Sequence, residues 1–167
     1  HRAGFGNFGD NMKLGVPMEL EGETRVGIVP GSVKKLLKAG FEVLVEKGSG
    51  ESANYLDSEY ESAGATISTR AEVLSCANIV CIRFPGVEGI SKGTNLTCVS
   101  DPFRCPENVR ACMDSGITLL SMDMIPRRLS RAQSMDVNSS QDNLAGYKAV
   151  LIGAATTPRG IPMMTTS

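Results

Sequence analysis

Pro30-Gly31-Ser32-Val33-Lys34-Lys35-Leu36-Leu37-Lys38-Ala39-Gly40-Phe41-Glu42-Val43-Leu44-Val45 is the stretch on which the fold turns. Pro30 pre-sets φ for a first helical turn and lacks the amide that a helix start leaves unpaired. Val33, Leu36 and Leu37 then fall three and four residues apart, which gives the helix one apolar face. Gly40 ends it. Phe41 to Val45 follows at once as a short apolar strand, and Gly48-Ser49-Gly50 turns the chain away.

The same alternation extends in both directions. Lys13 to Val16 reads as a strand ending at Pro17. Leu56 to Ala63 reads as a helix stopped by Gly64, Ala65 to Ile67 as a strand, Arg70 to Ser75 as a helix and Ala77 to Ile82 as a strand. Leu96 to Val99 is a further strand, Pro106 to Asp114 a helix ended by Gly116, and Ile117 to Leu120 a strand. Short apolar strands separated by helices predict an α/β fold, a Rossmann-like parallel sheet in three layers with helices on both faces. Residues 1–11 have no periodicity and read as an arm, tag or linker, with Met12 a natural start. Residues 12–133 form the expected Rossmann-like lobe. Residues 134–167 read as a mainly helical connector to about Ala154, followed by the start of a second lobe that is cut off.

The bulk composition excludes several classes. The 167 residues carry 17 basic and 18 acidic side chains, a net charge of -1, and are 41% hydrophobic. That balance offers no field for nucleic acid or an anionic membrane. No apolar run approaches the ~18 residues of a membrane span, and no signal-peptide pattern opens the chain, so a soluble chain is expected. Cys76, Cys81, Cys98, Cys105 and Cys112 are odd in number and contain no CxxC pair, which argues against a disulfide framework and a zinc site. Buried, reduced thiols are expected, as in cytosol or mitochondrial matrix.

Gly4-Phe5-Gly6-Asn7-Phe8-Gly9 spells GxGxxG, but no strand precedes it, and the fingerprint needs strand, turn and helix in that order. It reads as a glycine-rich arm. Gly48-Ser49-Gly50-Glu51-Ser52-Ala53 has the better context and reads as a turn needing positive φ, or as a phosphate contact. Arg25, in Glu23-Thr24-Arg25-Val26, lies where ligands gather in open parallel sheets. It either forks onto a carboxylate or phosphate or pairs with Glu21 or Glu23. Arg83, at the end of a strand, is placed similarly. The only histidine is His1, so no internal imidazole serves acid, base or metal chemistry.

The polar stretch from Arg127 to Asn143 contains Arg128, Arg131, Gln133, Asp136, Ser139, Ser140 and Gln141 with few apolar residues between them. On one continuous helix Gln133, Asp136, Ser140 and Asn143 would share a face. Amides and hydroxyls around one carboxylate, with arginines beside them, suit a carboxamide ligand such as nicotinamide. They equally suit a capping and hinge segment whose polar groups satisfy backbone.

At this point the chain resembles a known family. Met12-Lys13-Leu14-Gly15-Val16-Pro17, Glu23-Thr24-Arg25-Val26 and Val43 to Gly50 are similar to the opening shared by alanine dehydrogenases and the transhydrogenase alpha subunit. Met122-Asp123-Met124-Ile125-Pro126-Arg127, Ser130-Arg131-Ala132-Gln133-Ser134-Met135-Asp136, Ser139-Ser140-Gln141, Asn143 to Val150 and Pro162 to Thr166 resemble the NAD domain of proton-translocating NAD(P) transhydrogenases. The likeness runs from about Met12 to Ser167 and is weakest over Val87 to Arg110.

The resemblance implies an NAD(P)+ transhydrogenase, Si/Re-specific and proton-translocating. Hydride passes between NAD(H) and NADP(H), the latter on a partner domain, and a membrane domain couples the transfer to protons. It implies a homodimeric NAD component, peripheral to an inner membrane on the bacterial cytoplasmic face or the matrix side, with NAD in the cleft between two Rossmann-like halves. By residue, Gln133, Asp136 and Ser139 carry over to the nicotinamide side. The family has one residue fewer between proline and serine, so Arg127 and Arg128 compete for the arginine position, and counting back from Gln133 favours Arg128. Gln133, Asp136 and Arg128 are thus the implied catalytic set, and the same three with Arg127 and Ser139 form the implied cofactor-binding set. No metal is implied. Asn138 replaces a family leucine and Asp142 a small residue. The glycine fingerprint for the NAD pyrophosphate and the C-terminal return segment lie beyond the sequence, so this fragment alone is expected to be inactive. An alanine dehydrogenase-like amino-acid oxidoreductase, in which Arg25 and Arg83 match basic substrate positions, ranks lower for want of an internal histidine. A non-catalytic module reusing the fold is the remaining alternative.

Overall fold

The computed structural model describes residues 12–158. The chain divides into two compact units, His1–Met122 and Asp123–Ser167.

The first unit contains β1 (Lys13–Val16), α1 (Pro30–Lys38), β2 (Glu42–Glu46), α2 (Asp57–Ala63), β3 (Thr66–Ser68), α3 (Arg70–Leu74), β4 (Asn78–Arg83), β5 (Asn95–Val99), α4 (Pro106–Asp114) and β6 (Thr118–Ser121). All pairings are parallel, and the strands lie in the order β3-β2-β1-β4-β5-β6. That is the doubly wound order, whose reversal falls between β1 and β4. The expected fold and nearly all expected elements are present, displaced by a residue or two at their ends.

Side chains alternate across the sheet, as the pleat requires. Val43 and Val45 of β2 join Leu14, Val16, Val33 and Tyr60 in one core, under α1 and α2. Leu44, between them, packs on the opposite face with Val73 and Cys76, where α3 lies on β1 and β2. A third cluster, with Ile79, Cys81, Leu96, Cys98, Cys112 and Ile117, sits between β4, β5, β6 and α4.

Two local features set the geometry of the ligand side. Gly15 has no side chain because a Cβ there would stand 2.3 Å from the carbonyl oxygen of Val73, so glycine lets α3 lie directly on β1. Gly48, with φ of 76°, turns the chain after β2, and its amide donates to Asp57 Oδ1 at 2.9 Å. The expected turn at Gly48-Ser49-Gly50 is therefore a positive-φ turn closed by a carboxylate. The Gly4 to Gly9 arm lies outside the described residues.

In the second unit the chain forms short 3-10 turns, including Gln133–Met135, and then one long helix, α5 (Val137–Thr156). The continuous helix expected from Ser134 is interrupted. Asp136 has extended backbone angles, φ -74° and ψ 91°, and caps α5 instead of lying within it. Gln133 consequently does not share a helical face with Ser140 and Asn143. An aspartate with a serine three residues on is a strong helix-start signal, and the cap outweighs continuation of the helix. Among the described residues, no helix is long and apolar enough to cross a membrane.

Candidate functional site

In the first unit the ligand position of a doubly wound sheet is the crevice beyond the carboxyl ends of β1 and β4. Here the chain's own side chains occupy it. Glu19, just past β1, accepts hydrogen bonds from the amides of Ile82, at 2.6 Å, and Arg83, at 3.1 Å. The β4–β5 register shifts between Val80 and Arg83, and Glu19 serves amides beside that irregularity. Burial raises the Glu19 carboxyl above its ordinary value, against the lowering effect of the two amides.

Glu23 collects both arginines that the sequence places near this end of the sheet. Arg25 binds it with Nε at 2.7 Å and Nη2 at 2.6 Å, and Arg83 Nε reaches Oε2 at 3.1 Å. The Glu23 side chain is 5% exposed. The Arg25 hydrogen bond, outweighing burial, holds its carboxyl at about 2. Of the readings open for Arg25, the ion pair with Glu23 is the one formed.

The position at the end of β2, where a nucleotide-binding lobe offers an acid to a ribose, is Glu46. Its Oε2 is engaged by the amide of Met18 at 2.7 Å and by Arg70 Nη1 at 3.0 Å. The cleft beside these loops, about 440 Å³, is lined by Glu19, Glu21, Glu23, Glu51, Ser49 and Ser52 among others. Carboxylates on that wall repel a pyrophosphate, and the loop after β1 contains no glycine-rich cradle. The residues of this crevice do not fit a dinucleotide. Sequence patterning does not single out Glu19 or Glu46; the one signal for Glu19 is an acid two residues beyond a strand-ending proline.

The second unit holds the polar stretch. Asp136 Oδ1 accepts from the Ser139 amide at 3.0 Å and Oδ2 from the Ser139 hydroxyl at 2.6 Å. These bonds, the hydroxyl first, lower the Asp136 carboxyl from its ordinary value. Arg127 Nε lies 3.9 Å from Asp136 Oδ1, and its Nη2 lies 3.7 Å from Asp142 Oδ2. The structure thus brings Arg127, not Arg128, to Asp136. Arg128 is exposed and has no ion pair with a described residue. The two departures from the family pattern both have partners here. Asp142 pairs with Arg127, and Asn138 Nδ2 donates to the Asp123 carbonyl at 3.1 Å.

Gln133 is exposed on its 3-10 turn, next to buried Ala132. Its backbone carbonyl accepts from the Asp136 amide at 3.3 Å, while its side-chain amide bonds to no described residue. That amide offers a donor and an acceptor together, which matches both ends of a carboxamide. The residue types of this stretch are therefore compatible with a nicotinamide carboxamide.

An all-parallel sheet in this order defines a doubly wound, Rossmann-like lobe. The chain belongs to the family described as "Alanine dehydrogenase/PNT, N-terminal domain", whose profile matches residues 15–145. It is 44% identical, over 167 aligned positions, to the first portion of the NAD(P) transhydrogenase alpha subunit of Rhodospirillum rubrum, covering 93% of this chain and 43% of that protein. Alanine dehydrogenase of Geobacillus stearothermophilus is 51% identical over 55 residues, 32% of this chain and 15% of that protein. Among solved structures, transhydrogenase from Sinorhizobium meliloti superposes with a TM-score of 0.85 at 39% identity, over 93% of this chain and 46% of that one. An L-alanine dehydrogenase superposes at 0.67 with 27% identity, over 72% of this chain and 34% of that one. The chain spans less than half the length of the transhydrogenase relatives it matches.

Proposed function

We propose that this chain is the nicotinamide-side portion of the NAD(H)-binding component of a proton-translocating NAD(P)+ transhydrogenase. The observation that carries the reading is the pairing of a fixed carboxylate with an open amide. Asp136 is locked by Ser139, and Gln133 stands three residues before it with its side chain uncommitted. Gln133 and Asp136 orient the carboxamide, Ser139 holds Asp136, and Arg127 takes the arginine role that counting favours for Arg128. The relatives named as transhydrogenase subunits support the same reading.

When bound, NAD(H) would supply hydride chemistry, the reduced nucleotide of one kind giving hydride to the oxidised nucleotide of the other, NADP(H), on a partner domain. The transfer needs no acid or base from this chain, which suits a stretch with no histidine among the described residues. The chain's own contribution is orientation. The complete protein assembles as a homodimer with NADP-binding and membrane domains, peripheral to an inner membrane on its cytoplasmic or matrix side. The test is Gln133→Ala in the complete complex: NADH-dependent reduction of NADP+ should slow, and unchanged turnover overturns the assignment.

One observation favours a second reading. Arg25 and Arg83 meet on Glu23, where an alanine dehydrogenase-like enzyme would hold a substrate carboxylate. Pyruvate- and ammonia-dependent NADH oxidation by the complete protein would establish it.

A further inference from the structure

We propose that Cys81 and Cys98 form a buried dithiol that a small linear disulfide, of the glutathione-disulfide class, converts into a cross-strand disulfide. Cys81 lies on β4 and Cys98 on β5, which pair in parallel with Val80 opposite Thr97. Each cysteine is the next residue on its strand, and the register then shifts before Arg83 pairs with Val99. Both side chains enter the same core cluster, at 5% and 0% exposure, and the two thiols are electrostatic neighbours within it. Neighbouring strands lie ~4.8 Å apart, inside the ~4.4–6.8 Å window of Cα separations that a disulfide spans. Cys112 is buried in the same cluster, but it lies on α4, whereas Cys81 and Cys98 lie on strands that pair with each other.

The pair is protected in the resting protein. The neighbouring Cys98 thiol, and then burial, push the Cys81 thiol above its ordinary value, so little thiolate is present to react. Reaction proceeds through opening of the edge formed by β6 and α4. One cysteine thiolate then attacks the reagent disulfide, forming a mixed disulfide and releasing one reagent thiolate. The second cysteine attacks the protein sulfur of that mixed disulfide and releases the other. The protein gives up two electrons and two protons, and the reagent's S–S bond is reduced to two thiols. The new bond would sit one residue before Ile82, where Glu19 holds two successive amides and the β4–β5 register shifts. Oxidation thereby ties the crevice end of β4 to β5.

The experiment is equilibration of the whole chain with excess oxidised glutathione, alkylation of remaining thiols after unfolding, and mapping of linked peptides by mass spectrometry. The expected result is a Cys81–Cys98 link that dithiothreitol reverses, while Cys105, the more exposed thiol, acquires glutathione. Cys81→Ser and Cys98→Ser should each abolish the link without shifting it to Cys112. Full alkylation of both thiols after oxidation overturns the proposal. So does a Cys98–Cys112 link, or a mixed disulfide at Cys81 or Cys98 that never closes. The wild-type map decides even where a variant fails to fold.

Discussion

Asp136 holds Ser139 twice, once through the backbone amide at 3.0 Å and once through the hydroxyl at 2.6 Å. The arrangement starts α5 and fixes the direction of a carboxylate in one step. Because the carboxyl sits below its ordinary value, the folded state favours the charged form. Its stabilisation is complete at neutral pH and is lost as pH falls through that lowered value. Asp136→Asn should remove this acid-side dependence while its amide oxygen still caps α5. Circular dichroism melts of wild type and variant across acidic pH check it; parallel pH dependence would count against the capping role.

Glu23 should dominate acid sensitivity of the first unit. Its carboxyl is held at about 2, against an ordinary 4.5. The stability it contributes is therefore present above about 4.5 and disappears as pH falls towards about 2. Urea midpoints measured across that window should drop more steeply in wild type than in Glu23→Gln. Equal slopes would mean the two arginines are not anchored by this carboxylate.

Removing Glu19 leaves the amides of Ile82 and Arg83 without their acceptor. Glu19→Ala should cost about 0.5–1.5 kcal/mol, the usual net worth of a hydrogen bond. Amide hydrogen exchange should rise at Ile82 and Arg83 before it rises in β1 or β2. Exchange unchanged at those two amides would contradict the bonding described.

Two glycine substitutions should act with opposite sign. Gly15→Ala drives a methyl into the Val73 carbonyl at 2.3 Å and should destabilise by about 1–3 kcal/mol, the range for overpacking. Gly146→Ala meets nothing within 4 Å and lies inside α5, so it should stabilise by about 0.5–1 kcal/mol through helix propensity. Thermal unfolding of both variants provides the comparison.

Most of the fold is legible in the sequence because strand and helix periods differ and glycines mark the joins. Pro30, Gly40, Gly64 and Gly116 each stand at an element boundary. The closure of the crevice is not legible. It depends on Glu19 reaching amides 63 and 64 residues away, and no local pattern encodes such a contact. In the polar stretch the residue types are readable, but the geometry is not. A helical wheel places Gln133 and Asp136 together, whereas the Asp136 cap separates them into turn and helix. Counting favours Arg128 for the arginine role, while Arg127 meets Asp136 and Asp142. Spacing alone does not say which of two adjacent side chains turns inward.

The division of labour between this lobe and the rest of the protein is itself measurable. Calorimetric titration of the 167-residue chain with NADH should give weak binding or none, because no described element of it fits the pyrophosphate. Submicromolar binding would show that the phosphate site lies within this chain.

The most direct test is single-turnover hydride transfer from NADH to NADP+ in the complete protein carrying Asp136→Ala, with NADH binding measured in parallel. The orientation role predicts a transfer rate lowered roughly ten- to hundredfold with a smaller change in NADH affinity. A wild-type transfer rate in that variant, or a loss confined to affinity, would contradict it.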